Sequence, residues 1–229
     1  MRRIGFFVCP GHDALDLAGP LSAFNQVATA AGHTPYDLRV ISKSGGPVVG
    51  NTGLPIETRP VGNRRFDTVV FVGGDIEPMQ TAENIAIAKQ LASKASRVAS
   101  VCTGAFLLAE TGLLDGLRAT THWSYTAQLQ LRFPTIKVEG DSIYIADGRI
   151  WTSAGIASGI DLALAMIERD MGAEIARDVS RLLAVPYRRP GGQSQFAAIS
   201  RMEPESDRIR ITLNFAREHL AEPLPVERL

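Results

Sequence analysis

The 229-residue chain is poor in several features that would narrow its reading at once. It has only two cysteines, Cys9 and Cys102, with neither metal-ligand spacing nor a disulfide framework around them, which suits a reducing cytoplasm. No metal and no cofactor is expected. The formal net charge is +0, from 24 basic and 24 acidic side chains, so no field announces nucleic acid or an anionic membrane as a partner. No apolar run reaches the roughly 18 residues of a membrane span. The stretch before Pro10-Gly11 is too short for a signal peptide and reads as a first strand. Internal repeats and low-complexity tracts are absent. With 45% hydrophobic residues, the chain can still close a large core.

What is present is organised around Cys102. Arg97 to Val101 is short, apolar and β-branched, as a buried strand would be, and Gly104 to Ala109 is small and apolar nearly all round, as a helix on a sheet would be. Ser100 and Gly104 stand two residues either side of Cys102, where a nucleophile elbow needs small side chains. The following helix directs its free N–H groups at the sulfur, which favours thiolate. The same window admits a plainer reading, in which Cys102 is a small buried hydrophobe.

Strands and helices alternate along most of the chain. Arg3–Val8, Tyr36–Ser42, Asp67–Val72 and Arg97–Val101 read as strands, with Val48-Val49 and Leu54–Glu57 as a hairpin arm. Asp16–Val27 reads as a helix in which Pro20 is tolerable only near the start, and Thr81–Lys94 as an amphipathic one. Thr121 is a plausible cap for a helix ending at Phe133-Pro134. Ile136–Val138, Ser142–Ala146 and Arg149–Thr152 are short strands, the last two joined by Asp147-Gly148, a dipeptide favoured in type I′ hairpins. Ile156–Arg169 and Ala173–Leu183 close the pattern as helices. The expected fold class is α/β: a flavodoxin-like, doubly wound, mostly parallel sheet with helices on both faces and a nucleophile elbow, followed by a C-terminal helical extension. Residues 1–187 form the domain, 188–204 a polar linker and 205–229 a further helix whose last turn looks cut.

Loops at the carboxyl edge of such a sheet assemble its ligand site. Asp16 could bond the sulfur or relay a proton, or simply cap the first helix. Gly73 and Gly74, with the amide of Thr103, could stabilise an oxyanion, or serve a tight turn. His122 could orient the thiol, or be a helix-start histidine bonded only locally. Trp123 and Trp151 read as core or pocket wall.

The assembled pattern resembles the DJ-1/PfpI superfamily, with a class I glutamine-amidotransferase-like fold. The resemblance is carried by Asp13–Pro20, Val70–Gly74, Val101–Gly116 with Arg118–Trp123, and Asp147–Gly155, and covers residues 1–187. It implies an elbow cysteine at Cys102 with Asp16 as its acidic neighbour. Thr103 stands where peptidase and deglycase-like members carry histidine, a departure from their pattern. Two branches are similar. In isonitrile hydratase, an elbow cysteine, the next threonine and an aspartate near the first strand hydrate an isonitrile, which would make Cys102, Thr103 and Asp16 catalytic. In GlxA-type AraC-family regulators, a sensory domain of this kind is joined by a linker to a helix-turn-helix domain, which residues 188–229 resemble in their linker and opening helix.

That tail favours the regulator: an effector-sensing and dimerising domain, cytoplasmic, reading DNA only through a C-terminal part absent from this chain, with no membrane partner. A small effector, an amino acid or an amine, would bind over Cys102 against Asp16, Gly73, Gly74, Thr103, His122 and Trp123. Pairing with Asp16, and cation–π attraction of about 0.5 to 2 kcal/mol from a tryptophan face, would hold such a cation. The enzyme of isonitrile hydratase type is the alternative. A minor third reading is redox sensing by oxidation of Cys102 to sulfinic acid.

Overall fold

A computed structural model describes residues 1–189, 192, 193 and 215. Most of the expected linker and the whole 205–229 helix therefore lie outside the described residues, Phe215 apart. The first compact unit, Met1–Gln193, holds everything that follows.

Its centre is an eight-stranded sheet of order β3-β4-β2-β1-β5-β6-β10-β9. The parallel core consists of β1 (Arg2–Phe7), β2 (Tyr36–Ser42), β5 (Thr68–Phe71), β6 (Arg97–Val101) and β10 (Ile150–Ser153). These strands are short and apolar because both sheet faces are covered; all four residues of β5 and of β10 are buried. The hairpin arm is β3 (Gly46–Val49) against β4 (Pro55–Pro60), and β9 (Tyr144–Asp147) returns antiparallel to β10 through the expected Asp147-Gly148 turn. A separate two-stranded ribbon pairs β7 (Arg118–Ala119) with β8 (Lys137–Val138). The expected strand at Ile136–Val138 thus joins a partner that no local pattern marked.

One face of the sheet carries α1 (Ala14–Ala31), α6 (Ser158–Met171) and α7 (Ala173–Leu182). The other carries the short α2 (Ile76–Met79), with α3 (Ala82–Lys94), α4 (Gly104–Glu110) and α5 (Thr126–Arg132). Helix α1 begins earlier than expected because Asp13 caps it, accepting from the amides of Leu15 and Asp16. Pro20 therefore falls in the second turn, where it removes the bond the Asp16 carbonyl would otherwise accept. Beneath α1, Gly159 of α6 lets Pro20 and Val101 approach closely.

At the amino-terminal edge of the sheet, Asp170 ties three elements together. Arg97 of β6 binds it bidentately at 3.1 and 2.8 Å, Tyr36 of β2 donates to it at 3.1 Å, and Arg2 of β1 pairs with it as well. Arg97 and Asp170 are 12% and 8% exposed, so neither charge can turn to water if the other is lost. Asp170→Ala is predicted to lower unfolding stability by about 3 to 5 kcal/mol in urea denaturation, whereas a loss under 1 kcal/mol would show that the hub is dispensable.

Candidate functional site

Cys102 sits between β6 and α4 with φ +56°, in the left-handed region that a residue with a Cβ rarely adopts. Three bonds hold it there. Its amide donates to Ser153 O at 3.0 Å, its carbonyl accepts from the Ala105 amide at 3.3 Å, and the Thr121 hydroxyl donates to that carbonyl at 2.8 Å. Thr121 is thus a brace for the elbow, and His122 takes the capping position expected of it. Space for the turn comes from glycines: a Cβ at Gly155 would overlap Cys102, and one at Gly104 would overlap the Phe71 carbonyl. Sterically, this is a nucleophile elbow.

Asp16 is fully buried and does not cap α1, since Asp13 does. Its Oδ1 accepts from the amide of Ile156 at 2.5 Å, while no group among the described residues meets hydrogen-bond geometry at Oδ2. A methyl carbon on Gly73 would lie 2.5 Å from that Oδ2 and 2.7 Å from Cys102 Cβ, so carboxyl and thiol face each other across one glycine. Ile156, like Cys102, has positive φ (+49°), an outlier for a β-branched residue. Two of the three such non-glycine residues described therefore meet at this spot, as stored strain does at functional sites.

The electrostatics depart from the helix-dipole expectation. Burial, and next to it the negative charge of Asp16, push the Cys102 thiol well above its ordinary range, outweighing the Thr103 amide aimed at the sulfur. The resting form is thiol. Burial likewise raises Asp16 to about 7, against the pull of the Ile156 amide. Cys9, the other buried thiol, is pushed to about 12 by burial and is not among the residues lining the site.

A cavity of about 180 Å³ opens above the sulfur. Of the residues expected to bind a ligand, Asp16, Gly74, Cys102, Thr103 and His122 line it. Gly73 is the spacer beneath, and Trp123, 45% exposed, is not among the lining residues. The Gly74 amide is already given to Thr103 Oγ1 at 2.8 Å, and that hydroxyl donates back to Gly74 O at 2.6 Å. The pair closes a loop and leaves the Gly74 N–H unavailable to an oxyanion. His122 shares its Nδ1 with the Ser124 hydroxyl at 2.7 Å, and burial lowers its basicity.

Residues that local pattern did not single out also line the cavity: Asp13, Asn51, Asp75, Tyr125 and Ile156. Asp13 and Asp75 could have been found, as they adjoin the Asp16 and Gly73-Gly74 motifs. Asn51 and Tyr125 arrive from the hairpin arm and the turn before α5, with no signal in the sequence. Three carboxylates thus face one weakly basic histidine, and no lysine or arginine is among the lining residues.

Residues 2–169 match the DJ-1/PfpI family. The chain belongs to that family. It is 32% identical over 184 residues to an isonitrile hydratase from Pseudomonas putida, covering 76% of this chain and 75% of that protein. To the HTH-type transcriptional regulator ArgR of Pseudomonas aeruginosa it is 29% identical over 230 residues, covering 100% of this chain and 69% of the regulator. Against the HTH-type regulators GbdR of Pseudomonas aeruginosa and GlxA of Rhizobium meliloti it spans about half of their length. A crystal structure of an AraC family transcriptional regulator from Pseudomonas putida superposes with a TM-score of 0.72 at 17% identity, over 80% of this chain and 100% of that one, which shows the fold alone. No helix among the described residues is long and apolar enough to cross a membrane.

Because the folded protein holds Asp16 protonated to about pH 7 and the unfolded chain releases that proton near 3.8, stability falls as pH rises between the two values. Asp16→Asn is predicted to stabilise the protein at pH 8 by up to about 4 kcal/mol, and by far less at pH 4.5, in thermal denaturation. Equal gains at both values would place the carboxyl at its ordinary pKa.

Proposed function

We propose that this chain is the effector-sensing and dimerising part of a GlxA-type AraC-family regulator, and that a small cationic metabolite binds in the cavity over Cys102. The observation that carries the reading is the reach of the similarity. With the ArgR regulator it runs through the whole chain, well past the α/β domain, whereas with the hydratase it covers three quarters. In this reading DNA is met through a region outside residues 1–229, a second copy of the chain completes the dimer, and the cytoplasm is its setting.

The chemistry of the cavity supports a cation. Asp13 and Asp75 supply negative charge, Asp16 adds to it above about pH 7, and the carboxylate of Asp75 makes no capping bond to α2. Tyr125, edge-on to Phe106 at 6.2 Å, and the His122 ring add aromatic surface against which an alkylated ammonium can rest. An amino acid or a small amine fits about 180 Å³.

A route from the cavity toward the chain's end also supports sensing. Gln193 is 3% exposed, and its Nε2 lies 3.0 Å from the carbonyls of Thr121, Gly140 and Ser142. Thr121 in turn braces the Cys102 carbonyl, and His122 lines the cavity. A shift of the 120–122 segment on ligand binding would therefore be felt at residue 193, where the expected linker runs.

Titration with a panel of betaines, amino acids and amines, read by melting temperature and tryptophan emission, tests the reading. A cation is predicted to bind more tightly as pH rises through about 7, because Asp16 adds its attraction only when ionised, and Asp16→Asn is predicted to weaken binding at least tenfold above pH 7 and to remove that pH dependence. No binding by any cation across the panel would remove the proposal's support.

The intact strained elbow, with Asp16 beside it, keeps a cysteine enzyme of isonitrile hydratase type as a second reading. There Cys102 would attack the isonitrile carbon, and Asp16 would move the proton between sulfur, carbon and water. The protonated thiol and the self-engaged Thr103 hydroxyl weigh against it. Iodoacetamide at pH 7.5 is predicted to alkylate Cys102 at least tenfold more slowly than a free model thiol, with no isonitrile turned over. Faster labelling together with turnover abolished in Cys102→Ser would establish the enzyme instead.

A further inference from the structure

At the opposite end of the sheet, where β1, β5 and β6 begin and α6 ends, lies a second cavity of about 570 Å³. Four arginines line it, Arg2, Arg97, Arg149 and Arg169, against two aspartates, Asp67 and Asp170. Both acids are already engaged. Asp170 is held by Arg97 and Arg2, and Asp67 accepts from the Arg3 amide at 2.7 Å and pairs loosely with its side chain at 3.8 Å.

The other two guanidiniums have no carboxylate partner among the described residues. Arg149 donates to the carbonyls of Ala92 and Ala95, at 2.9 and 3.0 Å, which fixes its position without an ion pair to any described acid. Arg169 rests its guanidinium 5.6 Å from the centre of the Trp151 ring, and Arg97 stands 5.8 Å from the same ring. Such a local surplus of positive charge is notable in a chain whose overall charge is zero.

We infer that this cavity is a binding site for a phosphorylated small molecule, recognised through its phosphoryl group by Arg149 and Arg169. Guanidinium forks match the tetrahedral oxygens of phosphate, and the volume is that of a small-metabolite site. Trp151 is 4% exposed, so it offers no face on which a nucleobase could stack. Recognition is therefore by charge and is indifferent to what the phosphate is attached to. The site lies at the amino-terminal edge of the strands and is independent of the cavity over Cys102.

Since the chain has two tryptophans, Trp123→Phe leaves Trp151 as the sole reporter within this cavity. Inorganic pyrophosphate titrated into the full chain at constant ionic strength is predicted to change Trp151 emission saturably, with sodium chloride giving no such change. Arg169→Gln and Arg149→Gln, each checked for an unaltered circular dichroism spectrum, are predicted to raise the pyrophosphate Kd at least tenfold, and Asp16→Asn to leave it within twofold. Adenosine monophosphate and inorganic phosphate are predicted to bind within a few-fold of each other. A response that fails to saturate, or that survives both arginine substitutions, overturns the site; a strong preference for the nucleotide overturns recognition by charge alone.

Discussion

The left-handed backbone at Cys102 is the constraint on which the site depends. A side chain there costs about 1 to 2 kcal/mol relative to ordinary backbone, so the fold must over-determine it. It does so from several directions: the β10 carbonyl of Ser153 takes the amide, Thr121 from the loop after β7 takes the carbonyl, and Gly73, Gly104 and Gly155 vacate the space that side chains would fill. They are drawn from the carboxyl ends of β5, β6 and β10 and from the segment after β7. The strand order, with β6 between β5 and β10, is what brings them together. Ile156 repeats the strain one loop away, and its reward is an amide pointed at the Asp16 carboxylate.

Burial then decides the chemistry. A thiol at a helix mouth would ordinarily be drawn toward thiolate, but α4 is a seven-residue helix, and the sulfur shares its buried position with a carboxyl group. Desolvation and the neighbouring negative charge both favour the neutral thiol, and desolvation also holds Asp16 near neutrality. The result is a proton-bearing pair beneath an acidic, partly aromatic cavity. The resting pair launches no thiolate, which weighs against the enzyme although the elbow is intact, and the proposal of a sensor rests on the reach of the similarity.

Much of this was legible in the order of residues. The short β-branched runs gave the parallel strands, Asp147-Gly148 gave the β9–β10 turn, and the pairing of Ser100 and Gly104 about Cys102 gave the elbow, because each depends on neighbours in the chain. What could not be read depends on distance in space. Whether Asp13 or Asp16 capped the first helix turned on where that helix started, and the choice freed Asp16 for the site. The oxyanion role of Gly74 yielded to the Thr103 hydroxyl, which reaches it from 29 residues away. Trp123, adjacent in sequence to a lining residue, is not itself one, while Asn51 and Tyr125 enter from loops with no motif of their own.

The central claim is that one buried carboxyl, Asp16, changes charge near neutral pH beside a protonated thiol. It is tested most directly by following the aspartate side-chain carboxyl carbons by ¹³C NMR as pH is varied. The account predicts one resonance, missing from Asp16→Asn, with a midpoint near 7. A resonance lost in that variant but titrating near 4 would contradict it.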